Sequence, residues 1–333
     1  MAVMTPVPPL LVVAGATATG KTGLAIRVAE RVVAEGRPVT VVSADSRQVY
    51  RGLDIGTAKV STSERARVPH AGLDLADPDE RFAVADFAAH ARSVLAEVAA
   101  RDGVAVLVGG TGLYLRAVAL DVDLAALPDD PAVRARLEAE LAGEGLGPLA
   151  DRLRRVAPIL AASTALANPR RVVRALEIAE LRGDGPRPAP RGYPGPVAWI
   201  GLQVEPAEHR RRIAARARRQ FDDGLIDEAV ALRERFDPGL PAFSAIGYAE
   251  AWAVVDGTLT RELAIEEDAR RNVAFAKRQR TWFRGEPAIT WLDATDDPLA
   301  AADRRLRELL ERGASKAGAS AVGPAASRYP ARP

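Results

Sequence analysis

The sequence predicts an α/β protein with a mainly parallel, doubly wound sheet around a phosphate-binding loop (P-loop). Three observations support this fold class. Short apolar runs, each suited to one buried strand, alternate with helical patterns in the first 120 residues. The first run ends in a glycine-rich loop that opens a helix. Polar or glycine-rich segments follow the next two runs, at the strand ends where ligands bind in open α/β sheets.

The composition is typical of a globular protein that is long enough for two domains. The chain has 333 residues, of which 48% are hydrophobic and 27% are charged. It contains no cysteine, which excludes disulfides, thiolate zinc sites and cysteine nucleophiles, and it has only three histidines. Because no signal-peptide or membrane-span pattern is found, we expect a cytoplasmic protein with no membrane segment.

The first strand, predicted at residues 10–14, leads into the P-loop. Eight residues fit the pattern G-x-x-x-x-G-K-[ST]: Gly15, Ala16, Thr17, Ala18, Thr19, Gly20, Lys21 and Thr22. In such a loop the backbone N–H groups point inward, and the following helix adds the positive end of its dipole. Lys21 is expected on phosphate oxygens and Thr22 on a bound Mg²⁺. The loop alone does not identify the compound that carries the phosphates.

The second strand, predicted at residues 38–43, ends just before Asp45. Because the carboxyl ends of parallel strands meet at one edge of a sheet, Asp45 is predicted to face the P-loop. A helix N-cap at Asp45 and Ser46 is the alternative. Residues 47–59 combine polar, aromatic and glycine residues without a period of 2 or 3.6, which favours a functional loop.

Glycines also follow the third strand. A helix predicted at residues 82–100 leads to a strand at 104–108 and then to the segment GGTGLY at 109–114. Glycine lets a ligand approach the backbone closely, so this segment is a second candidate part of the site. A plain strand-to-helix turn is the alternative.

Beyond residue 120 the pattern changes to helices interrupted by prolines and rich in arginine. One predicted helix carries Arg134, and another carries Arg170 and Arg174 on one face, since these lie four residues apart. The most basic run, residues 209–219, includes Arg216. It is either a solvated helix face or an arginine lid that reaches a diphosphate in the loop.

A second basic run, residues 270–284, interleaves cations with aromatic residues. Such mixing suits RNA, because bases stack on the rings and phosphates pair with the cations, although the rings equally suit a core. The predicted division of the chain has six segments: a P-loop core at 1–120, a helical insertion at 121–165, a core continuation with the basic helix at 166–220, a helical region at 221–274, a last core strand and helix at 275–312, and a disordered tail at 313–333.

Five segments taken together carry a resemblance to a known family: residues 15–22, SADSRQVYRGLDIGTAK at 43–59, GGTGLY at 109–114, AIGY at 245–248 and AKRQ at 276–279. In this order the sequence resembles the bacterial tRNA dimethylallyltransferases over about residues 8–312. The segment at 43–59 is the most specific of the five, whereas the P-loop alone occurs in many NTPase families.

The resemblance implies transfer of a dimethylallyl group from dimethylallyl diphosphate to N6 of adenosine 37 in the tRNA anticodon stem-loop. Asp45 would be the general base. Thr17, Lys21, Thr22 and Mg²⁺ would hold the diphosphate, and Arg216 would complete the charge clamp. The helical insertion would clamp tRNA, and we expect a monomer.

The resemblance also implies a set of tRNA contacts, which are Asp45, Ser46, Arg47, Gln48, Thr111, Arg134, Arg170, Arg171, Arg174, Lys277 and Arg278. Two other functions remain open at this point. A P-loop kinase for a nucleotide or small metabolite would also have a parallel sheet and an arginine lid, and would consume ATP. An RNA-binding ATPase switch would bind nucleotide tightly and leave RNA unmodified.

Overall fold

The computed structural model of the chain describes residues 7–124 and 126–318. The chain forms two compact units. Among the described residues, the larger unit combines 7–119 with 193–318, and the smaller unit lies within Leu120–Gly192. In the described part of the chain, no helix is both long enough and apolar enough to cross a membrane.

A six-stranded sheet forms the centre of the larger unit. Its strands are β1 (Leu10–Gly15), β2 (Val39–Ser43), β3 (His70–Ala71), β4 (Val104–Gly109), β5 (Val197–Gln203) and β6 (Ile289–Asp293). They are all parallel and lie in the order β3-β2-β4-β1-β5-β6. The predicted fold class is therefore confirmed. The edge strand β3 was not predicted, because two residues have no apolar run of their own.

Thirteen α-helices occur in the described residues: α1 (Lys21–Ala34), α2 (Thr62–Arg67), α3 (Val84–Ala100), α4 (Gly112–Ala119), α5 (Pro131–Glu144), α6 (Leu146–Val156), α7 (Pro158–Ala162), α8 (Pro169–Arg182), α9 (Pro206–Asp222), α10 (Leu225–Arg233), α11 (Tyr248–Val255), α12 (Arg261–Arg284) and α13 (Leu299–Gly318). All six residues of β1 are buried, as is typical of a parallel strand covered on both faces. Leu11 and Val13 pack with α1 and α13 in one cluster, and the alternating residues Leu10 and Val12 face the opposite side.

The smaller unit is helical and consists of α5 to α8. Asp130 and Asn168 cap α5 and α8, and a proline follows each cap at the first helical position. The predicted insertion, 121–165, differs from this unit because α8 also belongs to it. Val172 and Leu176 of α8 pack with residues of α5 and α6 in one buried core, so the unit extends to Gly192.

The last helix is longer than predicted. We expected a helix to end at Arg312 and a disordered tail at 313–333, but α13 continues to Gly318. The rest of the predicted tail, residues 319–333, lies outside the described residues.

Candidate active site

The P-loop connects β1 to α1 at the carboxyl edge of the sheet. Gly20 has φ 86° and Ala18 has φ 58°, both in the left-handed region, which gives the loop its tight curl. The Thr19 hydroxyl donates to the Ala16 carbonyl at 2.9 Å and closes the loop from inside. The first turn of α1 contains no acidic residue, so no fixed carboxylate opposes an anion at this helix N-terminus.

Lys21 lies at the first position of α1 and points back into the loop. Its Nζ donates to the Ala16 carbonyl at 2.5 Å. Burial, together with the nearby Arg216 guanidinium, lowers the pKa of Lys21 to about 8, and Asp45 opposes the shift. A buried, weakly compensated ammonium is suited to an anionic ligand, which would supply the missing negative charge.

Thr17 is the most heavily connected residue of the loop. Its N–H donates to Gln279 Oε1 at 2.8 Å, and its hydroxyl accepts from Arg216 Nη1 at 2.7 Å. Its carbonyl accepts from His209 Nε2 at 2.8 Å, because His209 Nδ1 faces the donor Arg280 Nη1 at 2.9 Å and must be the acceptor nitrogen. Residues of α9 and α12 therefore both hold the loop at Thr17.

Asp45 lies where predicted, after the carboxyl end of β2. Its Oδ1 accepts from the Arg47 N–H at 2.8 Å, which closes a short turn. The helix-cap alternative is wrong, since turns follow Asp45 and the next helix begins only at Thr62. The carboxylate raises the pKa of Lys21 and that of Arg216, so it acts on both cations across the site.

Ser46 and Thr111, two of the predicted tRNA contacts, meet next to Asp45. The Ser46 N–H donates to Thr111 Oγ1 at 3.0 Å, and the two hydroxyls lie 3.4 Å apart. Thr111 follows β4, the strand between β1 and β2. The two hydroxyls thus lie at the sheet edge that Asp45 and the P-loop share.

Gln48 and Arg47, two of the predicted tRNA contacts, have partners within the protein. Gln48 Oε1 accepts from the Ser43 hydroxyl at 2.8 Å, and its Nε2 donates to the carbonyls of Thr57 at 3.1 Å and Ala58 at 3.2 Å. Arg47 Nη1 donates to the Pro241 carbonyl at 2.9 Å. Both side chains stabilise the loop that follows Asp45. A contact with RNA would therefore have to replace these hydrogen bonds or add to them.

The glycines of GGTGLY serve packing rather than ligand approach, which corrects the sequence-based interpretation. A Cβ on Gly110 would lie 2.4 Å from Gln279 Nε2, and one on Gly112 would lie 2.3 Å from the Trp282 ring. The two glycines therefore let α12 approach the sheet edge. This approach places Gln279, which also donates to the Gly110 carbonyl at 2.9 Å, against the P-loop.

Arg216 also lines a cavity of about 1000 Å³. Its other lining residues include Arg219 and Gln220 of α9, and Arg51 and Asp54 of the loop that follows Asp45. Charged side chains form much of its lining.

Asp268 of α12 is a buried carboxyl whose Oδ2 has no hydrogen-bond partner in the described residues, although Asn272 donates to its Oδ1 at 2.8 Å. Burial, together with Glu250 of α11, raises the pKa of Asp268 to about 6. Arg216 of α9 and Arg271 of α12 oppose this rise. The ionised carboxylate is therefore poorly compensated at neutral pH.

We expect Asp268→Asn to stabilise the protein at pH 8. Because the folded pKa lies above the ordinary value, the folded state binds more protons between about pH 4 and pH 6, and the wild type loses stability as pH rises through this range. The variant keeps the acceptor for Asn272 and lacks the charge, so its gain should be on the order of 2 kcal/mol at pH 8 and vanish near pH 4. Urea unfolding of the variant and the wild type at pH 4 and pH 8 measures this difference in unfolding free energy. Equal or lower stability of the variant at pH 8 would contradict the expectation.

In the smaller unit, Arg134 and Arg174 are engaged with the buried Glu177. Arg134 Nη2 lies 2.7 Å from Glu177 Oε2, and Arg174 Nη1 lies 2.7 Å from the same oxygen. Arg174 also donates to the Pro128 carbonyl at 2.7 Å. Both side chains were predicted to contact tRNA, and in the structure they hold α5, α8 and the preceding loop together.

Four other predicted tRNA contacts are exposed. Arg170 and Arg171 lie exposed in the first turn of α8. Lys277 and Arg278 lie exposed on α12, and the Arg278 guanidinium packs 5.7 Å from the centre of the Phe275 ring. These cations are placed to meet phosphates without breaking an internal ion pair.

Sequence reasoning missed the roles of Gln279, His209 and Arg280. A weak signal was available for two of them, because a buried glutamine and a buried histidine both occur in otherwise strongly basic runs. Such residues in a charged helix indicate a specific polar partner, here the backbone of Thr17.

Comparison with known proteins gives one consistent result. The family model for IPP transferase matches residues 48–286. A tRNA dimethylallyltransferase of Kineococcus radiotolerans is 44% identical, over 91% of this chain and 96% of the relative. Another, from Anaeromyxobacter sp., is 45% identical, over 89% of this chain and 97% of the relative.

Two solved structures of transferases are also similar to this chain. The crystal structure of a tRNA isopentenylpyrophosphate transferase from Bacillus halodurans is 37% identical with a TM-score of 0.68, and the match covers 93% of this chain and 99% of that one. A eukaryotic dimethylallyltransferase, solved acting on tRNA, is 22% identical with a TM-score of 0.70, over 93% of this chain and 80% of that one. At this lower identity the likeness shows a shared fold.

Proposed function

The chain belongs to the IPP transferase family, and from this premise we propose that it is a tRNA dimethylallyltransferase. The observation that carries this proposal is the meeting of Asp45, the P-loop and Arg216 at one edge of the sheet, in a chain that aligns with tRNA dimethylallyltransferases over most of its length. The donor would be dimethylallyl diphosphate, and the acceptor would be N6 of adenosine 37 in the anticodon stem-loop.

In the proposed reaction, the adenine N6 attacks the allylic carbon, the C–O bond to diphosphate breaks, and Asp45 accepts the proton that N6 loses. The N6 amine is a weak nucleophile because its lone pair is delocalised into the ring, so a carboxylate within hydrogen-bond reach helps the attack. Lys21 and Arg216 stabilise the charge that develops on the departing diphosphate. The P-loop then binds a leaving group instead of a nucleotide.

Thr22 is the residue that would hold Mg²⁺. The described residues contain no group of three or more histidine, cysteine, aspartate or glutamate side chains that could hold a metal. A single threonine hydroxyl beside a bound diphosphate fits Mg²⁺, which keeps several waters and binds through few protein ligands plus substrate phosphates. When bound, the ion would neutralise charge on the diphosphate oxygens.

The target base would have to leave its stack to reach Asp45. Adenosine 37 lies in a loop of the RNA, where extrusion costs less than in a duplex. Ser46 and Thr111 would then face the base, and the exposed cations of α8 and α12 would contact the backbone of the RNA. A monomeric state and a cytoplasmic location are part of the same proposal.

One incubation tests the proposed function. The protein is mixed with dimethylallyl diphosphate, Mg²⁺ and unmodified tRNA, and the RNA is digested and analysed by mass spectrometry. We expect an adenosine heavier by one dimethylallyl group at position 37. Consumption of ATP with no adduct would favour a P-loop kinase, and tight nucleotide binding with unmodified RNA would favour an ATPase switch.

We also expect binding of inorganic diphosphate to weaken as pH rises through about 8. The pKa of Lys21 is lowered to about 8, so the free protein loses this positive charge above that pH. Because the ligand is anionic and requires the protonated lysine, affinity should fall by about tenfold per pH unit well above the pKa. Calorimetric titration between pH 7 and pH 9.5 measures this change.

Lys21→Met is the control for the ionisation of diphosphate itself. Lys21→Met should bind inorganic diphosphate weakly at every pH. Its affinity should lack the fall with pH that deprotonation of Lys21 causes in the wild type. A wild-type affinity with the same pH dependence as Lys21→Met would contradict the role of Lys21.

A further inference from the structure

Glu228 of α10 binds three consecutive backbone amides of the loop that follows Asp45. Its Oε2 accepts from the N–H groups of Asp54 at 3.2 Å and Ile55 at 2.7 Å, and its Oε1 accepts from that of Gly56 at 3.1 Å. The Tyr248 hydroxyl of α11 donates to Oε1 at 2.7 Å. One carboxylate thus has four hydrogen bonds, and bonds to a charged acceptor are about twice as strong as neutral ones.

The side chains of Gln220 and Tyr248 also contact this turn, residues 54–56. Gln220 Nε2 of α9 donates to the carbonyls of Ile55 at 2.7 Å and Gly56 at 2.8 Å. The Tyr248 ring lies so close to Gly56 that a Cβ there would be 2.6 Å from it. Three helices therefore fix both the donors and the acceptors of this turn, and its position cannot shift without breaking several bonds.

The turn leads directly to Thr57, whose carbonyl contacts side chains of the candidate active site. The Thr57 carbonyl, one residue further on, accepts from Gln48 Nε2 at 3.1 Å and lies 3.5 Å from Arg216 Nη2. Gln48 in turn accepts from Ser43, the last residue of β2 and two residues before Asp45. Hydrogen bonds, together with the backbone step from Gly56 to Thr57, thus connect Glu228 to the base of the Asp45 loop and to the position of Arg216.

From this connection we propose that Glu228, with Tyr248, is a positioning residue for the transfer reaction. It holds the 54–56 turn so that Asp45 and Arg216 keep their places on either side of the reacting atoms, although it touches neither. The proposal depends on the proposed function for its kinetic part, and its structural part can be measured without catalysis. A displacement of reacting groups of about 1 Å can cost on the order of 10²-fold in rate, so loosening this turn should be visible in kcat.

The chain supplies a matched control. Asp227 is the neighbouring residue in the first turn of α10, and its side chain is exposed. Glu228→Gln and Asp227→Asn remove the same charge from the same helix N-terminus, so any effect through the helix dipole is shared. Only Glu228→Gln turns an acceptor of three N–H groups into a side chain with an amide donor.

We expect Glu228→Gln to lower kcat by tenfold or more relative to Asp227→Asn. The affinity for inorganic diphosphate should fall less than kcat, because Arg216 contacts both Thr57, next to the turn, and the P-loop, whereas Lys21 does not depend on the turn. Tyr248→Phe removes a single bond and should lower kcat by about two- to threefold, on the scale of one hydrogen bond weakened within a network. Amide hydrogen exchange at residues 54–56 should become faster in Glu228→Gln and stay unchanged in Asp227→Asn.

Equal kcat values for Glu228→Gln and Asp227→Asn, beside faster exchange at 54–56, would overturn the proposal, because the turn would be loose without consequence for catalysis. Unchanged amide hydrogen exchange at residues 54–56 in Glu228→Gln would also overturn the proposal. If Glu228→Gln does not fold, Tyr248→Phe decides, and a wild-type kcat in that variant refutes the positioning role. Absence of any adduct with the wild-type protein would instead refute the proposed function.

Discussion

Replacement of Asp45 by asparagine is expected to lower the rate of dimethylallyl transfer by on the order of 10²–10⁴-fold, the range for loss of a general base. Asparagine keeps an acceptor oxygen for the Arg47 N–H, which Asp45 Oδ1 binds at 2.8 Å, so the local turn should persist. The side chain would then be unable to take the proton from N6. Single-turnover kinetics with saturating diphosphate donor and tRNA measures the chemical step directly.

The same variant separates a catalytic role from a binding role. Inorganic diphosphate should bind to Asp45→Asn at least as tightly as to the wild type, because a negative charge that acts on Lys21 and Arg216 is gone. A near-normal single-turnover rate would reduce Asp45 to a turn-forming residue. A large loss of diphosphate affinity would show that the loop itself had been disturbed.

Arg216→Gln is expected to produce the second-largest loss, on the order of 10²–10³-fold in kcat, as for removal of one preorganised donor to a developing anion. The Arg216 guanidinium is already bonded to Thr17 Oγ1 at 2.7 Å, inside the P-loop, so little reorganisation is needed when charge develops on the diphosphate. Burial lowers the pKa of Arg216, and Asp45 and Asp268 oppose that shift. Steady-state kinetics with both substrates varied gives kcat and each KM.

Arg218→Gln is the matched control for that variant. Arg218 lies on the same helix, two residues away, with its side chain exposed. It should keep wild-type kcat while sharing the change in net charge. If both variants lost activity to the same extent, or if Arg216→Gln raised only the KM for tRNA, the assignment of Arg216 to the leaving group would be wrong.

The parts of the site that were predicted are those that short stretches of sequence encode. The P-loop is continuous in sequence, and Asp45 directly follows a β-branched strand, so local patterns were enough to place both. The fold class follows for the same reason, because alternating strand and helix patterns leave few topologies for a parallel sheet. The edge strand β3 was missed because two residues carry no period.

The parts that were not predicted depend on contacts between distant residues. Gln279 and His209 reach Thr17 across 262 and 192 positions of the chain, and no periodicity reports such a pairing. Arg134 and Arg174 show the opposite case. The resemblance assigned both to tRNA contacts, but the sequence pattern could not show that a buried Glu177 lies between them.

The Gln279 side chain joins the Thr17 N–H to the Gly110 carbonyl, and this single amide has a consequence for biosynthesis. The P-loop is among the first residues to leave the ribosome, yet the amide that completes it is made 262 positions later. At about 5–20 residues per second, the nascent chain spends at least about ten seconds with an unfinished anion site. Phosphate compounds in the cell would therefore meet the finished pocket only after nearly the whole chain has been translated.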